Sequence, residues 1–118
     1  MPTAVLVLPI LPAKEERWRR FAQYLLGDRV DEYEGFRRRL GIGGVRVYLA
    51  RTARREVIVA HVEAGDPEEA FRRLAASQEP FDEWFTEKIA ELHGYELGRR
   101  TGSPPELILE YPDDSGGP

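Results

Sequence analysis

Residues 45–64, VRVYLARTARREVIVAHVEA, alternate apolar and polar side chains on either side of a short basic stretch. Successive side chains of a strand point to opposite faces, so this period of two reads as the two strands of one antiparallel hairpin. Val45, Val47 and Leu49 form one apolar face, and Ile58, Ala60 and Val62 form another. The faces coincide when Val47 lies opposite Ala60, which puts Ala53 and Arg54 at the turn. A slip of one residue turns one set away from the other, so the pattern itself fixes the register. The turn carries neither Gly nor Asn, the residues that favour tight hairpin loops, and its type stays open.

Outward from the hairpin, Thr3 to Ile10 is an almost unbroken run of Val and Leu between Pro2 and Pro12. Its length and its proline boundaries predict a strand buried on both faces. Pro12 then opens a helical pattern in which Trp18, Phe21, Ala22 and Leu25 recur at helical spacing. Gly27-Asp28 breaks it, and Val30, Tyr33, Phe36 and Leu40 resume it up to Gly41, a natural helix stop. After the hairpin, Asp66-Pro67-Glu68-Glu69 is a helix start: a capping side chain, Pro at the first helical position, and acids facing the positive end of the dipole. Ala70, Phe71 and Leu74 line its buried side. Ser77 to Pro80 ends that helix and begins another, with Phe81, Trp84, Phe85, Ile89 and Leu92 as a wide apolar stripe and Gly94 as its end. Glu106 to Tyr111 reads as a last strand.

The resulting order, β-α-β-β-α-β with the second helical region split, predicts an α+β fold of the ferredoxin-like type, with helices on one face of a four-stranded antiparallel sheet. The domain spans residues 1–111 and a frayed tail follows over 112–118. The other sheet face carries Arg46, Tyr48, Ala50, Val57, Val59 and His61, too apolar to face water alone, so the chain is expected to pair with a second copy of itself.

Composition limits the function. A length of 118 residues suits one core, and 42% hydrophobic with 32% charged residues is ordinary globular usage. The net charge of -4 and the mixing of Arg with Glu and Asp on the first helical face argue against nucleic acid and membrane surfaces as partners. With no cysteine, thiolate chemistry and Cys-ligated metals are excluded. The short N-terminal apolar run is interrupted by Pro9 and has no basic flank, so a cytoplasmic location is expected. There is no Asn, and fifteen Arg stand against two Lys; this fits a thermophile, and equally a GC-rich genome.

The element order and the segments Ser77-x-x-Pro80-Phe81-Asp82-x-Trp84-Phe85 and Leu92-His93-Gly94 resemble an uncharacterised bacterial family of the dimeric α/β-barrel superfamily, which includes antibiotic-biosynthesis monooxygenase-like proteins. The resemblance covers residues 3–111 and implies a homodimer with a small-molecule cavity beside the sheet. It transfers no catalytic residue, because the superfamily spans cofactor-free oxygenases, isomerases and haem proteins.

Among single residues, His61 stands out mid-strand, opposite Arg46 and near Tyr48. These three suggest a small-molecule-binding homodimer acting as a cofactor-independent monooxygenase or isomerase, with His61 exchanging protons with a polar aromatic or enolisable compound oriented by Tyr48 and Arg46. Alternatively they hold a dimer interface in a non-catalytic ligand carrier or structural protein. His93, in the last turn of the aromatic helix, is a candidate base, ligand contact or haem ligand, His61 being the other candidate for haem, or else a favourable charge at the helix end. Trp84, with Phe81, Phe85, Trp18 and Phe21, either lines a pocket for a flat organic ligand or forms plain core. No metal signature occurs and no cofactor is required, haem being the one considered.

Overall fold

The computed structural model describes residues 2–94 and 105–112. The elements run β1 (Thr3–Pro9), α1 (Glu15–Leu26), α2 (Val30–Leu40), β2 (Ile42–Arg51), β3 (Glu56–Ala64), α3 (Pro67–Ala76) and α4 (Pro80–His93). The strands form a three-stranded antiparallel sheet in the order β1-β3-β2. The fold is therefore a small α+β unit, with four helices among the described residues.

The hairpin register is the one dictated by the alternation, with Val47 opposite Ala60 and Arg46 opposite His61. Thr52 explains how the turn closes without Gly or Asn. Its N–H donates to the Arg55 carbonyl at 2.9 Å, its hydroxyl donates to the same oxygen at 2.8 Å, and that hydroxyl accepts from the N–H of Arg55 at 3.1 Å. A threonine side chain here supplies bonds that a tighter loop would draw from backbone alone.

The helices cover one sheet face, where Leu6, Leu8, Ile58, Ala60 and Val62 meet Phe21, Leu25, Phe36, Leu40, Leu74, Phe81, Ile89 and Leu92 in one core. The helix breaks fall where the glycines and prolines put them. Gly41 and Gly94 both take left-handed backbone (φ 71° and 81°), which a side chain strains. A Cβ at Gly94 would also lie 3.2 Å from the Leu11 side chain. Gly94→Ala is expected to cost about 1 kcal/mol or more for the backbone alone, read as a lowered urea midpoint. At α3, the Asp66 carboxylate accepts the Glu69 N–H at 3.1 Å, so Asp66→Ala should cost about 1 kcal/mol in the same measurement.

Three expectations are corrected. The segment Glu106 to Tyr111 is not a strand: it is irregular and solvent-exposed, with Leu107, Ile108, Leu109 and Tyr111 at 72%, 87%, 79% and 92% exposure. Its continuous apolar run carries no alternation of its own that ties it to one face of the sheet. The first strand is not buried on both faces either. Leu6 and Leu8 are buried under the helices, whereas Val7 on the other face is 48% exposed, because no layer among the described residues covers that face. Finally, the first helix starts at Glu15 rather than at Pro12, since Ala13 adopts a left-handed φ of 65° that cannot enter a helix.

No helix among the described residues is long and apolar enough to cross a membrane.

Candidate functional site

The sequence-predicted residues separate into three places. Arg46, Tyr48 and His61 come together on the open sheet face, with the Tyr48 and His61 rings 5.8 Å apart in an edge-on arrangement. All three are exposed, and Val5 and Val7 of β1 continue their rows across the sheet. Trp84 lies on the outer side of the helical layer. The Arg29 guanidinium sits 4.3 Å above its ring and Tyr24 5.9 Å away, in a groove between α1 and α4 rimmed by Arg17, Arg20 and Lys88.

His93 is buried at the end of α4, and both its ring nitrogens are engaged. Trp18 Nε1, which can only donate, points at His93 Nε2 at 2.8 Å. Nε2 is therefore the acceptor, and Nδ1 carries the proton, donating it to the Pro9 carbonyl at 2.8 Å. This bond ties α4 to the end of β1, beside the backbone bond from Leu11 N–H to the Leu92 carbonyl at 3.0 Å. With Nε2 taken by an indole N–H, neither nitrogen presents a lone pair to haem iron in this arrangement.

Burial holds the His93 imidazole below its ordinary value of 6.5, and the bond to the Pro9 carbonyl only partly offsets this. The folded state thus favours neutral His93, while the unfolded chain protonates first. Stability conferred by the neutral ring is complete above the ordinary imidazole value and declines as pH falls through it, until the folded pKa is passed. Denaturation midpoints measured between about pH 7 and about pH 5 should therefore fall with acid, and His93→Leu should flatten that slope.

A mostly apolar cavity of about 340 Å³ lies elsewhere, between the sheet and the helices. Leu6, Leu8, Ile58, Ala60 and Val62 form its floor, and Trp18, Phe21, Leu25, Tyr33, Phe36 and Phe85 contribute to its roof. Its position follows from packing geometry. α1 and α2 are joined by a break at Gly27, aromatic contacts of Phe85 with Phe21 and Phe36 join α4 to both, and the floor beneath includes the small side chain of Ala60. The helical roof also stops short of the edge strand β2. Val47 shares the helix-facing side with Ala60, lines the cavity and is nevertheless 41% exposed; Leu26 lines it too and is 70% exposed. These two side chains mark a mouth.

Tyr33 is the titratable side chain in this lining among the described residues. Burial raises its phenol above the ordinary value of 10.0, with Arg37 opposing and Glu34 reinforcing the shift. It is therefore a neutral hydroxyl, able to donate or accept a hydrogen bond. Its ring stacks on Phe36 at 5.8 Å and on Phe85 at 6.5 Å, which fixes its direction. Helical periodicity placed Tyr33 on the core face alongside Phe36 and Leu40; the available signal was that one member of an otherwise apolar stripe carries a hydroxyl.

The buried carboxylate of Asp82, 2% exposed, is a separate feature. It pairs with Arg39 from the end of α2 and accepts the Ser77 hydroxyl at 2.6 Å, and Ser77 in turn accepts the Glu79 N–H at 3.2 Å. The cluster locks the α3–α4 corner to α2. Among the described residues no group of His, Asp and Glu is arranged to hold a metal ion. No family model matches the chain, and neither the curated proteins nor the solved structures give a match.

Proposed function

We propose that the protein binds a small, flat, largely apolar molecule in the chamber between its sheet and its helices, with the Tyr33 hydroxyl as the polar anchor. The observation that carries this reading is the chamber itself: about 340 Å³, walled by aliphatic and aromatic side chains, with a mouth at Val47 and Leu26. Small-molecule sites are concave, mostly apolar and polarised by few groups, and about 300 Å³ is the lower end of their range. A bicyclic aromatic phenol suits that volume and chemistry. Binding rather than proton transfer is favoured, because Arg46, Tyr48 and His61 sit on the opposite face of the sheet and cannot reach a molecule held there.

Naphthalen-2-ol is a suitable probe. Trp18 lines the chamber and the chain has two tryptophans, so a Trp84→Phe background isolates its emission. Titration should change Trp18 fluorescence to saturation, and Ala60→Phe, which fills the floor, should weaken binding by about tenfold or more. Tyr33→Phe should weaken naphthalen-2-ol by roughly one hydrogen bond, about 1 kcal/mol, and leave naphthalene unaffected. An unresponsive Trp18, or binding indifferent to Ala60→Phe in a folded variant, refutes the reading.

A further inference from the structure

Two elements left without a neighbour among the described residues match one another. The first is the outer edge of β1. The Ile10 N–H bonds the Glu56 carbonyl and the Ala64 N–H bonds the Pro2 carbonyl, so the even-numbered residues of β1 face β3. Antiparallel pairing alternates, which leaves the backbone N–H and C=O of Thr3, Val5 and Val7 directed away from the sheet. Such an edge is a template for another strand. The second is the Pro105–Pro112 stretch, whose Leu107, Ile108, Leu109 and Tyr111 stand almost fully in water.

Length, side-chain pattern and charge agree. Prolines bound both pieces: Pro2 and Pro9 limit the edge, and Pro105 and Pro112 limit the segment. Run antiparallel with Ile108 opposite Val7, the segment sets Leu107 and Leu109 beside Leu8 and Leu6 under the helices. Ile108 then extends the Val7 row on the open face. In that direction Glu106 reaches the Pro9 end of the edge. There a depression of about 600 Å³ is lined by Val7, Pro9, Arg54 and Arg55, and neither arginine has an ion pair among the described residues.

We propose that the occupant of the β1 edge is the Glu106–Tyr111 segment of a second copy, the two copies exchanging segments about a two-fold axis. The chain's own segment lies clear of its own sheet, and exchange covers both exposed elements of each copy at once. This inference is independent of the chamber and its ligand.

The absence of cysteine makes the test clean. Val7→Cys protein is mixed with Ile108→Cys protein carrying a distinguishable tag, and the mixture is oxidised; Leu107→Cys and Leu109→Cys repeat the measurement one residue either way. A disulfide-linked heterodimer of the two tagged chains is expected as the principal species, and light scattering of the unmodified protein at micromolar concentration should give twice the chain mass. The double variant Val7→Cys with Ile108→Cys separates the other outcome. If it forms only an intrachain disulfide, the segment docks on its own sheet and the exchange is refuted. Free thiols at every position, or a mass of one chain, refute it as well.

Discussion

Replacing Phe36 with alanine is expected to lower stability by about 3–5 kcal/mol, a large share of the roughly 5–15 kcal/mol that holds such a domain folded. Phe36 is 3% exposed and sits at the junction of the aromatic cluster. Phe85 lies 4.6 Å from it, Phe81 5.5 Å and Tyr33 5.8 Å, so its removal deprives three rings of a neighbour at once. It also forms part of the chamber roof, and the alanine variant enlarges that space rather than opening a separate void. Two measurements follow. The urea midpoint should drop sharply, and an aromatic ligand larger than naphthalen-2-ol should raise the melting temperature of the variant more than that of the parent, because a ligand that binds only the folded state stabilises it by mass action. A loss below about 1 kcal/mol would mean that the cluster is not cooperative packing but a loose set of contacts.

The second large effect is expected at Arg39. Arg39→Ala leaves the Asp82 carboxylate in a site where it is 2% exposed, with the Ser77 hydroxyl as its remaining side-chain partner. Breaking a fully buried pair from one side typically costs about 3–5 kcal/mol. The Arg39 side chain is 39% exposed, so water enters the space it leaves, and about 2–3 kcal/mol is the reasonable expectation here. The reverse substitution is milder. Asp82→Ala strands a guanidinium that water already reaches, and it removes the buried charge altogether. Denaturant midpoints of the two variants should therefore differ, with Arg39→Ala the less stable. Equal losses would show that the carboxylate is solvated in the folded chain.

Much of the fold was legible from local pattern. The alternation over residues 45–64 set the hairpin register because a single slip exposes the whole apolar face, and Gly41, Asp66-Pro67 and Gly94 marked helix ends through backbone geometry that few other residues allow. Long-range relations were not legible in the same way. Nothing near Asp82 in the sequence announces Arg39, and nothing near Trp18 announces His93. These bonds join residues brought together only when the helices pack. The last apolar run misled for a related reason: six residues of strand-like composition specify a propensity but not a partner, and a strand exists only where its backbone bonds are taken up. The candidate site divided similarly. The juxtaposition of Arg46, Tyr48 and His61 followed from register, whereas the chamber depends on how the helices pack over the sheet, which no periodicity encodes.

Pro9 has one more effect. Its ring leaves that end of the outer edge without a donor, and its carbonyl is already claimed by His93, so hydrogen-bonded addition stops there. At the other side of the sheet Arg37 occupies the carbonyls of Ile42 and Gly43. Growth by successive sheets into fibrils needs long, uninterrupted borders on both flanks. This molecule offers one short berth and one partly blocked margin, a layout that admits a single visitor and discourages a queue.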